Sequence, residues 1–371
     1  MYNSKQIPRV MLIGLYDPLK PKEDMIQDFE EVESLVKTFG GKVYAALTQN
    51  KTRGSLSTFI GEGKVEEASI EIKDKAIDVV VINSSIKPGQ LHQLLTVFQK
   101  INPQILVWDR VSLILEIFSK HASTSEAKLQ IRFALMDQMG PRIYGMGMEM
   151  SNQGGGIGTR GLGETNTELM LRHWKEEKSK IQEELTALSK RRKDQIDHRK
   201  RGGLLTVSLV GYTNAGKTSL FNRLTGLSDL VENALFATLD STVNKFYIKE
   251  LEGEIYLSDT IGFIKDLPPQ LIDAFRSTLM EAIYADVVLH VIDSSDPRID
   301  DKIKTVDGIL SELKIDKKNI IYVFNKIDEN ETLDRTELRE KYSEFNPQFI
   351  SARDGIGIRD LTSSIAAKIK S

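Results

Sequence analysis

Short aliphatic runs alternating with amphipathic stretches predict an α/β protein built on two sheets. Three observations carry that expectation. In the second half of the chain, apolar runs at 204–210, 254–258, 286–293 and 320–324 each end in a turn rich in Gly, Asp or Asn. In the first 110 residues, strand-like runs at 10–14, 42–47, 78–83 and 104–109 alternate with helical patterns. Between the two halves, helical patterns at about 113–139 and 164–199 flank a glycine-rich tip. The expected organisation is a small α/β domain over 1–118, a long antiparallel helical hairpin over 119–201, and a nucleotide-binding α/β domain over 202–371. In that last domain a mainly parallel sheet is flanked by helices.

Composition narrows the class. At 371 residues the chain is too long for one ordinary domain. Its 40% hydrophobic and 28% charged residues fit a globular protein. It has no cysteine, which excludes disulfides and thiolate metal sites. The five histidines (92, 121, 173, 198 and 290) are too scattered for a zinc cluster. No apolar run approaches the roughly 20 residues of a membrane span, and no secretory leader is visible. The net charge of −3 hides an asymmetry: −1 over 1–171, +5 over 172–201 and −7 over 202–371. A nucleic-acid partner would meet that basic segment rather than the whole surface. The expectation is a cytoplasmic monomer.

Taken in order, Val10–Gly14 begins a strand, and Met25–Phe39 follows as an amphipathic helix stopped by Gly40-Gly41. Lys42–Leu47 resumes strand character. Gly61-Glu62-Gly63-Lys64 resembles the start of a nucleotide loop but lacks the length and the Ser/Thr; it reads as a helix-entry turn, with a second nucleotide site left open. Strands at 78–83 and 104–109 enclose a helix near Leu91–Phe98. The long helices then carry the polar stretch His121–Glu126 and the tip Gly154–Gly163. The positive segment and the tip make Arg160, Lys190, Arg191, Arg192, Lys193, Arg199, Lys200 and Arg201 candidates for RNA contact.

The chemistry concentrates after residue 203. Strand-like Leu204–Val210 leads into Gly211-Tyr212-Thr213-Asn214-Ala215-Gly216-Lys217-Thr218-Ser219, and a helical pattern follows. This is the strand–loop–helix context of a P-loop, whose backbone N–H groups surround phosphate oxygens. Lys217 is expected to reach the β- and γ-phosphates, and Thr218 to ligate Mg²⁺. Asp259-Thr260-Ile261-Gly262 ends a second strand; Asp259 would hold the metal through water, and the Gly262 N–H would sense the γ-phosphate. After another strand comes Asn325-Lys326-Ile327-Asp328. A carboxylate can accept both N1–H and N2–H of guanine, whereas adenine would leave it unpaired, so Asp328 is the guanine selector. Asn325 would orient the loop, Lys326 would pack its stem over the base, and Ser351-Ala352-Arg353 would back the base. The four stretches in this order predict a P-loop GTPase domain.

Three further readings concern hydrolysis. A threonine before the second strand would close over Mg²⁺ and the γ-phosphate; Thr238 is the choice and Thr242 the alternative. Lys217, Thr238 and Gly262 are thus the expected catalytic set. Phe263 stands where many regulatory GTPases carry a water-positioning Gln, which predicts slow intrinsic hydrolysis completed by a partner. Asn214 could help bind K⁺ near the phosphates, or it could simply shape the loop by a hydrogen bond.

Together these residues resemble the HflX family of ribosome-associated GTPases, in the Obg–HflX group. The marks are Gly61-x-Gly63-Lys64-x-x-Glu67, His121–Glu126 with Ala127-Lys128-Leu129-Gln130, the tip 154–164, Phe236-Ala237-Thr238-Leu239 and Asp259–Phe263. The resemblance implies binding to the large ribosomal subunit and its rRNA, GTP hydrolysis stimulated there, and splitting or rescue of ribosomes. In some members it implies ATP-linked RNA remodelling by the N-terminal part. The chain ends soon after Ser351-Ala352-Arg353, so contacts that need the further C-terminal domain of many bacterial relatives are not expected. A different class, a GTP-dependent switch for a protein partner, remains open at this point.

Overall fold

The computed structural model describes residues 7–138, 166–227, 236, 242–265, 267, 271–272, 275–330 and 333–370. The expected tip with Arg160, and Thr238, lie outside these residues. Two compact units emerge: 1–120 with 131–183, and 121–130 with 184–371.

The first unit holds a four-stranded parallel sheet in the order β2-β1-β3-β4, formed by β1 (Arg9–Tyr16), β2 (Lys42–Asn50), β3 (Val79–Ile82) and β4 (Leu106–Asp109). All of β3 is buried, as its unbroken Val-Val-Val-Ile run requires of a parallel strand covered on both faces. One face packs Met11, Ile13, Val80 and Ile82 against Ile72, Leu94 and Phe98 from the helices Glu62–Asp74 and Pro88–Gln99. Gly40 stops the helix Lys22–Phe39 in the left-handed region (φ 90°), as read from the sequence. Gly61 caps the helix Glu62–Asp74, so Gly61-Glu62-Gly63-Lys64 is a helix entry. The expected helix over 113–139 is two helices, Arg110–His121 and 125–138. The break falls at the polar stretch, where the Thr124 hydroxyl accepts from Ala127 N at 3.1 Å and acts as an N-cap.

The helix Asn166–Arg201 runs for 36 residues. Ion pairs Arg132–Glu177 and Lys178–Asp137, and Arg192–Glu126 at 3.4 Å, pair it with 125–138 in the opposite sense. That is the expected antiparallel hairpin.

The second unit contains six strands in the order β10-β9-β8-β5-β7-β6. They are β5 (Thr206–Gly211), β6 (Thr242–Ile248), β7 (Gly253–Asp259), β8 (Val287–Asp293), β9 (Ile320–Asn325) and β10 (Gln348–Phe349). Only β6 is antiparallel, on β7 at the edge. Every residue of β5 and β9 is buried, which explains their near-continuous apolar character. The central core sets Val207, Leu209, Leu289, Val291, Ile321 and Val323 against Phe221, Leu361 and Ile365. Registers Leu209↔Asp259, Gly211↔Val291 and Asp293↔Asn325 bring the carboxyl ends of β5, β7, β8 and β9 to one crest. Ligands bind at such crests in open α/β sheets.

In the first unit, Arg110 and Glu31 are ion-paired with side chains only 4% and 8% exposed, and Arg110 also donates to Asn83 Oδ1 at 3.1 Å. Removing one partner strands a buried charge. Arg110→Met alone should therefore cost about 3–5 kcal/mol, and adding Glu31→Met should recover much of it. Urea unfolding of the two variants checks the order.

Candidate guanine-nucleotide site

The loop 212–216 leaves the central strand β5 and enters the helix Lys217–Thr225. Asn214 (φ 63°) and Gly216 (φ 88°) both lie in the left-handed region, which curls successive N–H groups around one concavity. Gly216 also has no room for a side chain: a Cβ would sit 2.2 Å from Asn325 Nδ2. Lys217 is 7% exposed, and its ammonium donates to the carbonyls of Gly211 (3.2 Å) and Tyr212 (2.9 Å) across the mouth of that concavity. Burial pushes its pKa down to about 8, against the opposing pull of the Asp259 carboxylate.

Thr218 and Asp259 meet as the spacing predicted. The Thr218 hydroxyl lies 2.7 Å from Asp259 Oδ2, and Asp259 is 1% exposed at the end of β7. A hard hydroxyl and a buried carboxylate side by side suit a small divalent cation such as Mg²⁺. The alternative switch residue, Thr242, opposes Asp259 in the β6–β7 ladder and is exposed.

The turn after Asp259 is tied to the phosphate loop by backbone. Thr213 N donates to Phe263 O at 2.7 Å, and Phe263 N donates to Gly211 O at 3.0 Å. Lys265 N donates to the Tyr212 hydroxyl at 2.7 Å. Gly262 is pressed against the lysine: a Cβ there would stand 3.0 Å from Lys217 Nζ and 2.9 Å from Thr213 Cγ2. Phe263 is 1% exposed, so the side chain in the glutamine position is part of the core.

On the base side, Asn325 is 2% exposed and bridges two loops. Its Nδ2 donates to Ala215 O at 2.9 Å, and its Oδ1 accepts from Ala352 N at 2.9 Å. Asp328, with 10% of its side chain exposed, pairs with Arg353 Nη2 at 2.7 Å. Burial alone would raise the Asp328 pKa, but the Ser351 hydroxyl and the Arg353 charge outweigh it and hold the carboxyl below its ordinary value. Lys326 reaches Asp293 at 2.6 Å, which sets the direction of its stem. A cleft of about 610 Å³ is lined by Gly216, Ser219, Asn325, Lys326, Asp328 and Ala352, among others. One strut escaped the sequence reading: Arg223, on the phosphate-loop helix, donates to Ala352 O at 3.0 Å and also to Arg353 O. It lines the same cleft from the helix that follows the loop, and no motif marks it.

The RNA candidates divide. Lys190, Arg191, Lys193, Lys200 and Arg201 are exposed. Arg192 and Arg199, expected among them, turn inward to Glu126 and Glu281. Their charge is balanced within the protein, by a half-buried carboxylate at Glu126 and a buried one at Glu281.

Residues 27–119 match a family model described as GTP-binding GTPase N-terminal, 121–199 one described as GTP-binding GTPase middle region, and 206–326 one described as 50S ribosome-binding GTPase. The GTPase HflX of Caldanaerobacter subterraneus subsp. tengcongensis is 38% identical over 361 residues, covering 97% of this chain and 80% of that protein. The GTPase HflX of Escherichia coli K12 is 35% identical over 361 residues, covering 97% and 83%. A GTP-binding protein from Sulfolobus solfataricus, solved with GDP, superposes with a TM-score of 0.51 at 25% identity, covering 98% of this chain and 99% of that one.

Two measurements probe the site. Phosphate contact should return Lys217 toward its ordinary pKa, so nucleotide binding near pH 8 should take up about half a proton, falling to little at pH 6.5. Titration calorimetry in buffers of different ionisation enthalpy reads this directly. Asp328→Asn should weaken GTP by about 10²–10⁴-fold, from two lost charge-assisted hydrogen bonds, and should favour xanthosine triphosphate instead. Competition binding with the two nucleotides checks it.

Proposed function

The chain belongs to the HflX family of GTPases, and from that premise we propose that it acts on the large ribosomal subunit, with GTP controlling how a basic helical arm engages rRNA. The observation that carries the nucleotide half is Asn325, whose amide joins the phosphate loop to the loop that backs the base. The exposed cations Lys190, Arg191, Lys193, Lys200 and Arg201 support the RNA half, together with the match of 206–326 to a ribosome-binding GTPase model.

In this reading Lys217 and the N–H groups of 213–218 bind the β- and γ-phosphates, and Thr218 and Asp259 hold Mg²⁺. Bound there, the metal would neutralise charge developing on the phosphates. Gly262 lies against Lys217, and in this reading its N–H would report the γ-phosphate. Thr238 would be the closing threonine, with Thr242, which opposes Asp259 in the β6 ladder, the alternative. Asp328 accepts the guanine edge, and Ser351-Ala352-Arg353 fix its geometry. Asn214, left-handed at the turn of the loop, is the residue through which K⁺ would act. Nothing in this set aligns the attacking water, since the Phe263 side chain is buried in the core. The missing group is supplied by the ribosome, which confines hydrolysis to the bound state. Splitting or rescue of ribosomes is the downstream event this cycle would drive.

Cosedimentation with purified large subunits should be stronger with a non-hydrolysable GTP analogue than with GDP. Subunits should accelerate hydrolysis by up to ~10³–10⁵-fold. Binding should weaken with salt, and Lys190→Ala and Arg191→Ala should each reduce the logarithmic salt slope by about 0.7–0.9. Equal sedimentation in the two nucleotide states would sink the proposal, as would fast hydrolysis by the protein alone.

A further inference from the structure

The last turn of the helix Asn166–Arg201 carries His198, Arg199, Lys200 and Arg201. Cations at a helix C-terminus suit the dipole and ordinarily stay hydrated. Arg199 departs from that pattern. Only 17% of its side chain is exposed, and its Nη2 donates to both carboxylate oxygens of Glu281, at 2.7 and 2.9 Å. The Glu281 side chain is itself 7% exposed.

The neighbours of this pair are specific. Arg199 Cζ lies 5.6 Å from the centroid of the Tyr256 ring, on β7, the strand that ends in Asp259. Glu281 belongs to the helix Arg276–Ile283, which follows the Gly262 turn in the chain. On the same stretch of the long helix, Lys193 Nζ stands 5.8 Å from the Tyr284 ring, and Lys200 Nζ is 3.8 Å from Asp286. Arg199 thus touches both the strand before the nucleotide-sensing turn and the helix after it, while Lys193 and Lys200 lie near the segment that follows that helix.

We propose that Arg199 and Glu281 are positioning residues forming the joint that makes the base of the long helix follow the helix Arg276–Ile283, and so carries the nucleotide state of the Asp259–Phe263 turn into the basic arm. This rests on the reading that GTP controls the arm, and it adds the residues by which it does so. A buried carboxylate without its partner is strongly unfavourable, so the two helices move together rather than slide apart. A guanidinium bound to both carboxylate oxygens also fixes direction, which an apolar contact of equal area does not. Neither residue lines the nucleotide cleft, so breaking the joint removes no contact to the nucleotide.

The test uses the full chain and needs no ribosome. Amide hydrogen exchange is followed in peptides from 184–201 with GDP and with a non-hydrolysable GTP analogue. The wild type should show a nucleotide-dependent difference of about 5-fold or more in exchange rate, and E281Q and R199A, saturated with nucleotide, should reduce it below about 2-fold. R199K, which keeps the charge but loses the planar guanidinium, should fall between, and the charge-swapped R199E/E281R should restore the difference. E281Q preserves shape and one acceptor, so it stays informative should R199A unfold. The proposal is overturned by a flat wild-type difference, by single variants that keep it, or by a folded swap that fails to restore it. The ribosomal reading is scored separately, by cosedimentation of the wild type. If that is nucleotide-dependent while the exchange result fails, only the joint is wrong.

Discussion

One buried amide holds the site together. Asn325 spans from Ala215 O to Ala352 N, each at 2.9 Å, and it is 2% exposed. An asparagine side chain offers both a donor and an acceptor in one plane, so a single residue can satisfy two backbone groups of opposite polarity. A buried backbone group left unpaired is costly, so the two loops stay in register with each other. Everything else in the cleft is placed relative to that bridge. Gly216 must lack a Cβ because Asn325 Nδ2 occupies the space, and Asp328 three residues later faces the same cleft. Arg223 repeats the tie by binding Ala352 O. Phosphate recognition and base recognition thereby become one event.

How much of this was legible in the sequence depends on the range over which each feature is encoded. The chemistry-bearing turns were, because each is a contiguous motif at the end of a buried strand, and the mostly apolar runs of β5, β8 and β9 advertise that burial. β6 was not read as a strand. Of its seven residues only Phe246 and Ile248 are buried, so its signal is the weak alternation of an edge strand. The hairpin was legible as two apolar-periodic helices, but not the break at 122–124, which a single Thr124 cap creates. Least legible were Arg199 and Glu281. Each looks like an ordinary charged residue on a helix, and they meet across 82 positions of sequence.

The basic segment illustrates why charge counts locate a function only coarsely. Eleven cations over 172–201 outweigh six acids, and the sum suggested one RNA-facing surface. Arg192 and Arg199 nevertheless balance Glu126 and Glu281 inside the fold. Arginine suits that task better than lysine, because its weakly hydrated planar group loses less on burial. The exposed remainder is three lysines and two arginines, and these are the cations the proposal assigns to RNA. The same short helix end therefore holds two populations of positive charge with different work.

Phe263 brings these strands of argument together. A glutamine at this position would have to project into solvent to hold water. The phenyl ring instead is buried, and its backbone forms hydrogen bonds to Gly211 and Thr213 on the phosphate loop. Burying an aromatic ring contributes roughly 1.5–3 kcal/mol, so the turn after Gly262 is anchored where a regulatory GTPase would leave it loose. That anchoring carries two consequences. In the proposed cycle the buried ring cannot orient the attacking water, which fits slow hydrolysis in the free protein. In the proposed joint, motion of Gly262 would be passed along the chain toward the helix Arg276–Ile283 and the arginine paired with Glu281. Both proposals then trace to an apolar ring standing where a polar side chain would hold water.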